Sequence, residues 1–109
     1  MGNPFGGGNM GGMMKQAKKM YEAIQRVQDE LAEARIEASS GGGMVKAIAS
    51  GNGSLVELKI DPQVVDPEDV EMLQDLVTTA VREALTKAKE TETARMQEIT
   101  GGLNIPGMF

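Results

Sequence analysis

The 109-residue chain contains no cysteine, no histidine and no tryptophan. The first two absences remove disulfides, thiol chemistry, zinc sites built on Cys or His, and every catalytic triad that needs an imidazole base. They argue against the usual hydrolytic and redox enzymes, and the chain is expected to be no enzyme. Its three aromatics, Phe5, Tyr21 and Phe109, are too few for a core of stacked rings. They are also too few for a surface on which single-stranded bases stack. No apolar run approaches the roughly 18 residues of a membrane span. The opening MGNPFGGGNMGG has neither the basic start nor the apolar run of a secretory signal. The expected setting is the cytoplasm, away from the membrane.

What is plentiful is glycine, with 14 residues, and acid, with 16 Asp and Glu against 11 Lys and Arg for a net charge of −5. Residues 1–12 include six glycines and one proline. Such a segment has little to bury against a large ordering cost, so a disordered tail is expected there. A second tail at residues 101–109, GGLNIPGMF, keeps Leu103, Ile105, Met108 and Phe109, which implies docking on this chain or another. Residues 13–100 between them are read as one domain.

Met13, Ala17, Met20, Ile24, Val27, Leu31 and Ala34 recur at gaps of 4, 3, 4, 3, 4 and 3, the apolar stripe of a long helix with a neighbour. From Ala34 the period falls to two. Ala34, Ile36 and Ala38 alternate with Arg35, Glu37 and Ser39, predicting a first strand. Gly41–Gly43 supplies a turn, a second strand runs from about Met44 to Ser50, and Gly51-Asn52-Gly53 marks a hairpin. The alanines of VKAIASG lower the β propensity of that middle strand, so weak specification is expected. The third strand, Ser54 to Ile60, puts Val56, Leu58 and Ile60 on one face, and Asp61-Pro62 ends it.

A second helix is predicted from Asp66 as N-cap and Pro67 as first helical residue, with Glu68, Asp69 and Glu71 complementing the dipole. Val70, Leu73, Val77, Ala80 and Ala84 form its buried stripe, widened by Leu76, Val81 and Leu85. Past Ala88 the apolar residues thin, and that end is expected to project into solvent. The fold class is therefore α+β: long helix, three-stranded antiparallel sheet, long helix. A small sheet with two open edges and two long helices buries little surface in so short a chain. A twofold homodimer built around the sheet and the start of the second helix is the expected remedy, with Val56, Leu58, Ile60, Leu73 and Val77 at its interface.

Phosphate-loop chemistry is excluded, because no G-x-x-x-x-G-K-[ST] exists and Gly41–Gly43 precedes a strand. The six acids Asp61, Asp66, Glu68, Asp69, Glu71 and Asp75 lack EF-hand spacing, and capping and solvation account for them. No metal, cofactor or small-molecule substrate is implied. The bases are uneven: Lys15, Lys18, Lys19 and Arg26 stand against Glu22 alone, a local +3. If the two helices run antiparallel, this patch and the basic residues of the second helix share one end, and the acids gather at the other. Charge alone leaves two readings open, a DNA-binding arm and a solvated helix face.

The runs MKQAKKM (Met14–Met20), QDEL (Gln28–Leu31), GMVK (Gly43–Lys46), KIDP (Lys59–Pro62) and EMLQDLV (Glu71–Val77), with the closing GGLNIPGMF, resemble the YbaB/EbfC family of bacterial nucleoid-associated proteins. The ordered set spans the chain from tail to tail. The resemblance implies a tweezer-like homodimer with protruding helical arms that binds double-stranded DNA, alters its conformation, and acts in nucleoid organisation and gene regulation. By position, the DNA-binding role falls on Lys15, Lys18, Lys19 and Arg26, with Lys87, Lys89 and Arg95 as secondary candidates. The alternative is a protein-interaction adaptor using the Met-rich helix stripe and the apolar C-terminal tail.

Overall fold

A computed structural model describes residues 7–101, with side chains from residue 11. The chain forms α1 (Gly7–Glu33), β1 (Arg35–Ser40), β2 (Val45–Ser50), β3 (Leu55–Ile60) and α2 (Val70–Thr100), with single 3-10 turns at Gly41–Gly43 and Pro62–Val64. The α+β order expected from the periodicities is the one observed.

Two helix boundaries differ from expectation. α1 begins at Gly7 rather than Met13. Once a helix is nucleated each added residue brings its own hydrogen bond, so the strong Met13–Leu31 segment extends back through glycines that would not start a helix themselves. α2 begins at Val70, capped by Asp69, whose carboxylate accepts from Met72 N at 3.1 Å. Asp66 instead closes the preceding turn: its carboxylate accepts from Glu68 N at 2.9 Å and its carbonyl from Asp69 N at 2.9 Å. Pro67 fits the second position of a turn as well as the first of a helix, so both aspartates carried a capping signal and the later one starts the helix.

The sheet is antiparallel in the order β1-β2-β3. Its register pairs Ala38 with Ala47, and Ala47 with Leu58, so Ile36, Ala38, Val45, Ala47, Ala49, Leu58 and Ile60 share one face. A bulge between Ile48 and Ala49 sets Leu55 opposite Ala49, which adds Leu55 to the face of Val56, Leu58 and Ile60. The Gly41–Gly43 turn has φ of 60°, 67° and 92°, left-handed conformations that suit three consecutive glycines.

α2 crosses this face over β1 and β2. Ala80, Ala84 and Ala88 are fully buried against Ala38, Val45, Ala47 and Ala49. Small residues meet on both sides, so the helix sits close on the sheet. The middle strand expected to be weakly specified is thus the most buried of the three: its alanines give up β propensity for that close approach. α2 leaves β3 uncovered, and all six β3 residues are exposed.

Direction follows from three contacts along α2. Ser40 Oγ donates to Leu76 O at 2.6 Å, Lys87 Nζ to Glu37 O at 3.3 Å, and Arg95 reaches Glu30 of α1. α2 therefore runs from the glycine-turn end of the sheet to the hairpin end and on past it. At the hairpin end, Gly51 N donates to Leu31 O at 2.8 Å, and a Cβ at Gly51 would stand 2.8 Å from Leu31 Cδ2. Only glycine admits α1 so close. The two helices are antiparallel beyond the sheet, and Arg95, Met96 and Ile99 are half-buried there. The end of α2 is consequently not a free projection but the partner of α1. The result is a rod with principal extents of 83 × 27 × 16 Å.

Candidate nucleic-acid interface

α1 has two unlike faces. At 100° per residue, Met13, Met20, Val27 and Leu31 fall on one side, and only its sheet-proximal end, Val27 and Leu31, is buried. Lys15, Lys18 and Arg26 fall on the other side, and Lys19 on the flank between the two faces. All four cations are exposed. None forms an ion pair among the described residues, whose ion pairs involve Lys59, Lys89 and Arg95. Lys15 stands 16 residues before Leu31, about 24 Å along the helix from the edge of the sheet. Lys15 and Lys18 are far out on the arm and away from α2, whereas Lys19 borders the groove between α1 and the end of α2.

The secondary candidates are placed differently. Lys87 lies over β1 with its ammonium on the Glu37 carbonyl. Lys89 pairs with Glu92 at 3.4 Å and borders a groove on the flank of α2. Arg95 is bound to Glu30 at 2.5 Å and to Glu98 at 3.3 Å. Its hydrogen bond to Glu30, then the charges of Glu30 and Glu98, hold its guanidinium above the ordinary arginine range. The sign is stabilising below that range, so the group stays charged wherever the protein is folded. The structure thus does not bring Lys87 and Lys89 to the outer end with Lys15, Lys18 and Lys19. Antiparallel packing was the right expectation, but these two lysines precede the point where α2 leaves the sheet.

Six of the sixteen acids, between Asp61 and Asp75, gather at the other pole. Asp61 accepts from Gln63 N at 2.8 Å, and Asp66 and Asp69 cap the turns leading into α2. Among the described residues, no three potential ligands converge on a metal position. Six carboxylates thus gather near the glycine-turn end of the sheet with no base among them, while the distal arm carries Lys15, Lys18 and Lys19 against Glu22, the three lysines unpaired among the described residues.

Along β3, from the hairpin to the acidic pole, an apolar surface is left open. Leu55 is 46% exposed and Val56 48%, beside exposed Leu58 and Ile60. Leu76 and Lys87 turn toward β1, so Val77, Val81 and Leu85 lie on the opposite flank of α2, toward β3, and border an open groove of about 600 Å³. Val70 and Met72, just inside α2, are exposed as well. Leu55 and Met72 were not singled out from the sequence; the bulge that re-aims Leu55 has no residue signature in Ser54-Leu55-Val56.

Comparison with known proteins bears on this arrangement directly. The description "YbaB/EbfC DNA-binding family" matches residues 6–103. The chain belongs to that family. A nucleoid-associated protein of Acetivibrio thermocellus is 54% identical over 109 residues, covering 99% of this chain and 96% of the relative. One from Moorella thermoacetica is 55% identical over 103 residues, covering 94% and 99%. The crystal structure of an uncharacterized Helicobacter pylori protein aligns with a TM-score of 0.72 at 25% identity, covering 84% of this chain and 94% of the other. The helix–sheet–helix architecture of this YbaB/EbfC member therefore recurs in a solved structure. No described helix of it is long and apolar enough to cross a membrane.

Proposed function

We propose that the protein acts in the nucleoid as a homodimer that binds double-stranded DNA through its phosphates and alters the path of the duplex. The observation that carries this reading is the set of exposed cations on α1, Lys15, Lys18, Lys19 and Arg26, unpaired among the described residues and remote from the Asp61–Asp75 acids. Membership of a DNA-binding family supports it.

The dimer in this reading buries the open apolar surface. Val56, Leu58 and Ile60 with Leu55 on the sheet, and Leu73 and Val77 on α2, meet their twofold copies. Such an axis at the acidic pole directs the two arms outward, with their amines at the far ends. Amines on two arms contact backbone oxygens, which position the protein without reading bases. Held at two points of fixed separation, the duplex follows the spacing of the arms, and its deformability sets the cost. Gln16, Gln25 and Gln28 are exposed on α1, yet phosphate contacts suffice for the affinity expected, on the order of 10⁻⁴ to 10⁻⁶ M at physiological salt. Net acidity does not prevent this, since charges more than about 10 Å apart are largely screened there.

Titration of a duplex with the protein by fluorescence anisotropy, repeated over salt, tests the reading. Binding that weakens steeply as salt rises, with little dependence on sequence, is the expected result. No binding at low salt overturns it and favours the adaptor role, for which a pull-down without residues 103–109 is the matching test.

A further inference from the structure

α1 extends past the end of α2, and an apolar channel opens where the two helices part. Met13, Ala17, Met20 and Ala23 of α1 with Ile99 of α2 line a groove of about 700 Å³, rimmed by Lys19 and Glu98. Met13 is 69% exposed, so this stretch of the stripe has no partner among the described residues. α2 closes at Thr100 with Gly101 N donating to Gln97 O, so the described chain ends beside Ile99, at the margin of this groove.

We propose that residues 102–109 of the same chain occupy this groove, laid as an extended strap along the outer half of α1. Reach is sufficient: eight residues extended span about 26 Å. The groove needs about 15 Å, the rise of α1 from Met13 to Ala23. Composition matches too. The segment GLNIPGMF carries Leu103, Ile105, Met108 and Phe109, four large apolar side chains for a groove of methionines and alanines. Pro106 keeps Ile105 out of the α region, so the helix does not simply continue and the segment stays extended. In an extended chain Leu103 and Ile105 point to one side, as a strap on a helix face requires. Phe109 beside a methionine thioether adds a favourable sulfur–ring contact. The strap covers the apolar face of α1 and leaves the opposite face, with Lys15 and Lys18, in water. It holds whether or not those lysines meet DNA.

The cysteine-free chain permits a direct test. Ala17→Cys in the groove, and Glu22→Cys on the opposite face of the same helix, are each combined with Leu103→Cys, Ile105→Cys or Met108→Cys in the full chain. Under mild oxidation, at least one Ala17→Cys pair forms an intrachain disulfide at least ten times faster than its Glu22→Cys counterpart. Equal rates mean an undirected tail, and disulfides formed only between chains mean a second copy fills the groove; either overturns the proposal. A second measurement needs no substitution in the groove. Removing residues 102–109 raises amide exchange across residues 11–20 about tenfold and leaves β2 unchanged; unchanged exchange in residues 11–20 overturns the proposal.

Discussion

Glu30 and Arg95 bind each other across the antiparallel helices at the point where both have left the sheet. The pair is partly exposed, so it registers the two helices more than it stabilises the fold. Glu30→Lys sets two cations against each other at that point. Amide exchange in α1 around residues 20–30 is expected to rise, while β2 keeps its protection and the melting temperature falls by no more than a few degrees. Equal loss of protection in β2 would place the pair in the core of folding instead.

The close seat of α2 on the sheet makes its alanines intolerant of size. Ala84→Leu inserts a branched chain where Ala84 is fully buried, at an expected cost of about 1–3 kcal/mol in urea denaturation. Glu83→Ala, one exposed position away, is expected to stay within about 0.5 kcal/mol.

Gly51 is the second point of close approach. Gly51→Ala places a Cβ 2.8 Å from Leu31 Cδ2 and 2.9 Å from Leu31 O, displacing the end of α1 from the hairpin. Thermal unfolding should show a loss on the order of 2 kcal/mol. Gly42→Ala is no neutral control, because φ there is +67°, and Asn52→Ala would remove the acceptor of the buried Ser50 hydroxyl; Glu33→Ala, exposed at the end of α1, serves better.

Much of this architecture is legible in the residues. Period-three-and-four spacing from Met13 to Ala34 and period-two alternation after it place the elements, because burial of one face dictates both patterns. The candidate cations of α1 are legible as a cluster, and the face shared by Lys15, Lys18 and Arg26 follows from spacing alone. Contacts between distant segments are not legible. Nothing local to Arg95 shows that Glu30, 65 residues earlier, takes up its charge, or that Lys87 rests on a strand carbonyl. The burial of alanine-rich β2 was likewise hidden, because propensity is a local quantity and close helix–sheet packing is a property of two surfaces.

The open apolar surface of β3 has a direct consequence. Sedimentation at micromolar concentration is expected to give twice the 11.6 kDa chain mass, and Leu58→Asp with Ile60→Asp to return it to one. A wild-type monomer, or an unaffected dimer in the double variant, would remove the twofold axis from the proposed arrangement.

The salt dependence of DNA binding by Lys15→Ala/Lys18→Ala/Lys19→Ala tests the phosphate clamp most directly. Each phosphate contact contributes about 0.9 to the slope of log K against log salt, so losing six lysines per dimer flattens it by up to about 5. The account predicts that flattening together with weaker binding at low salt and an intact dimer. Parental affinity and parental slope in the triple variant would contradict it.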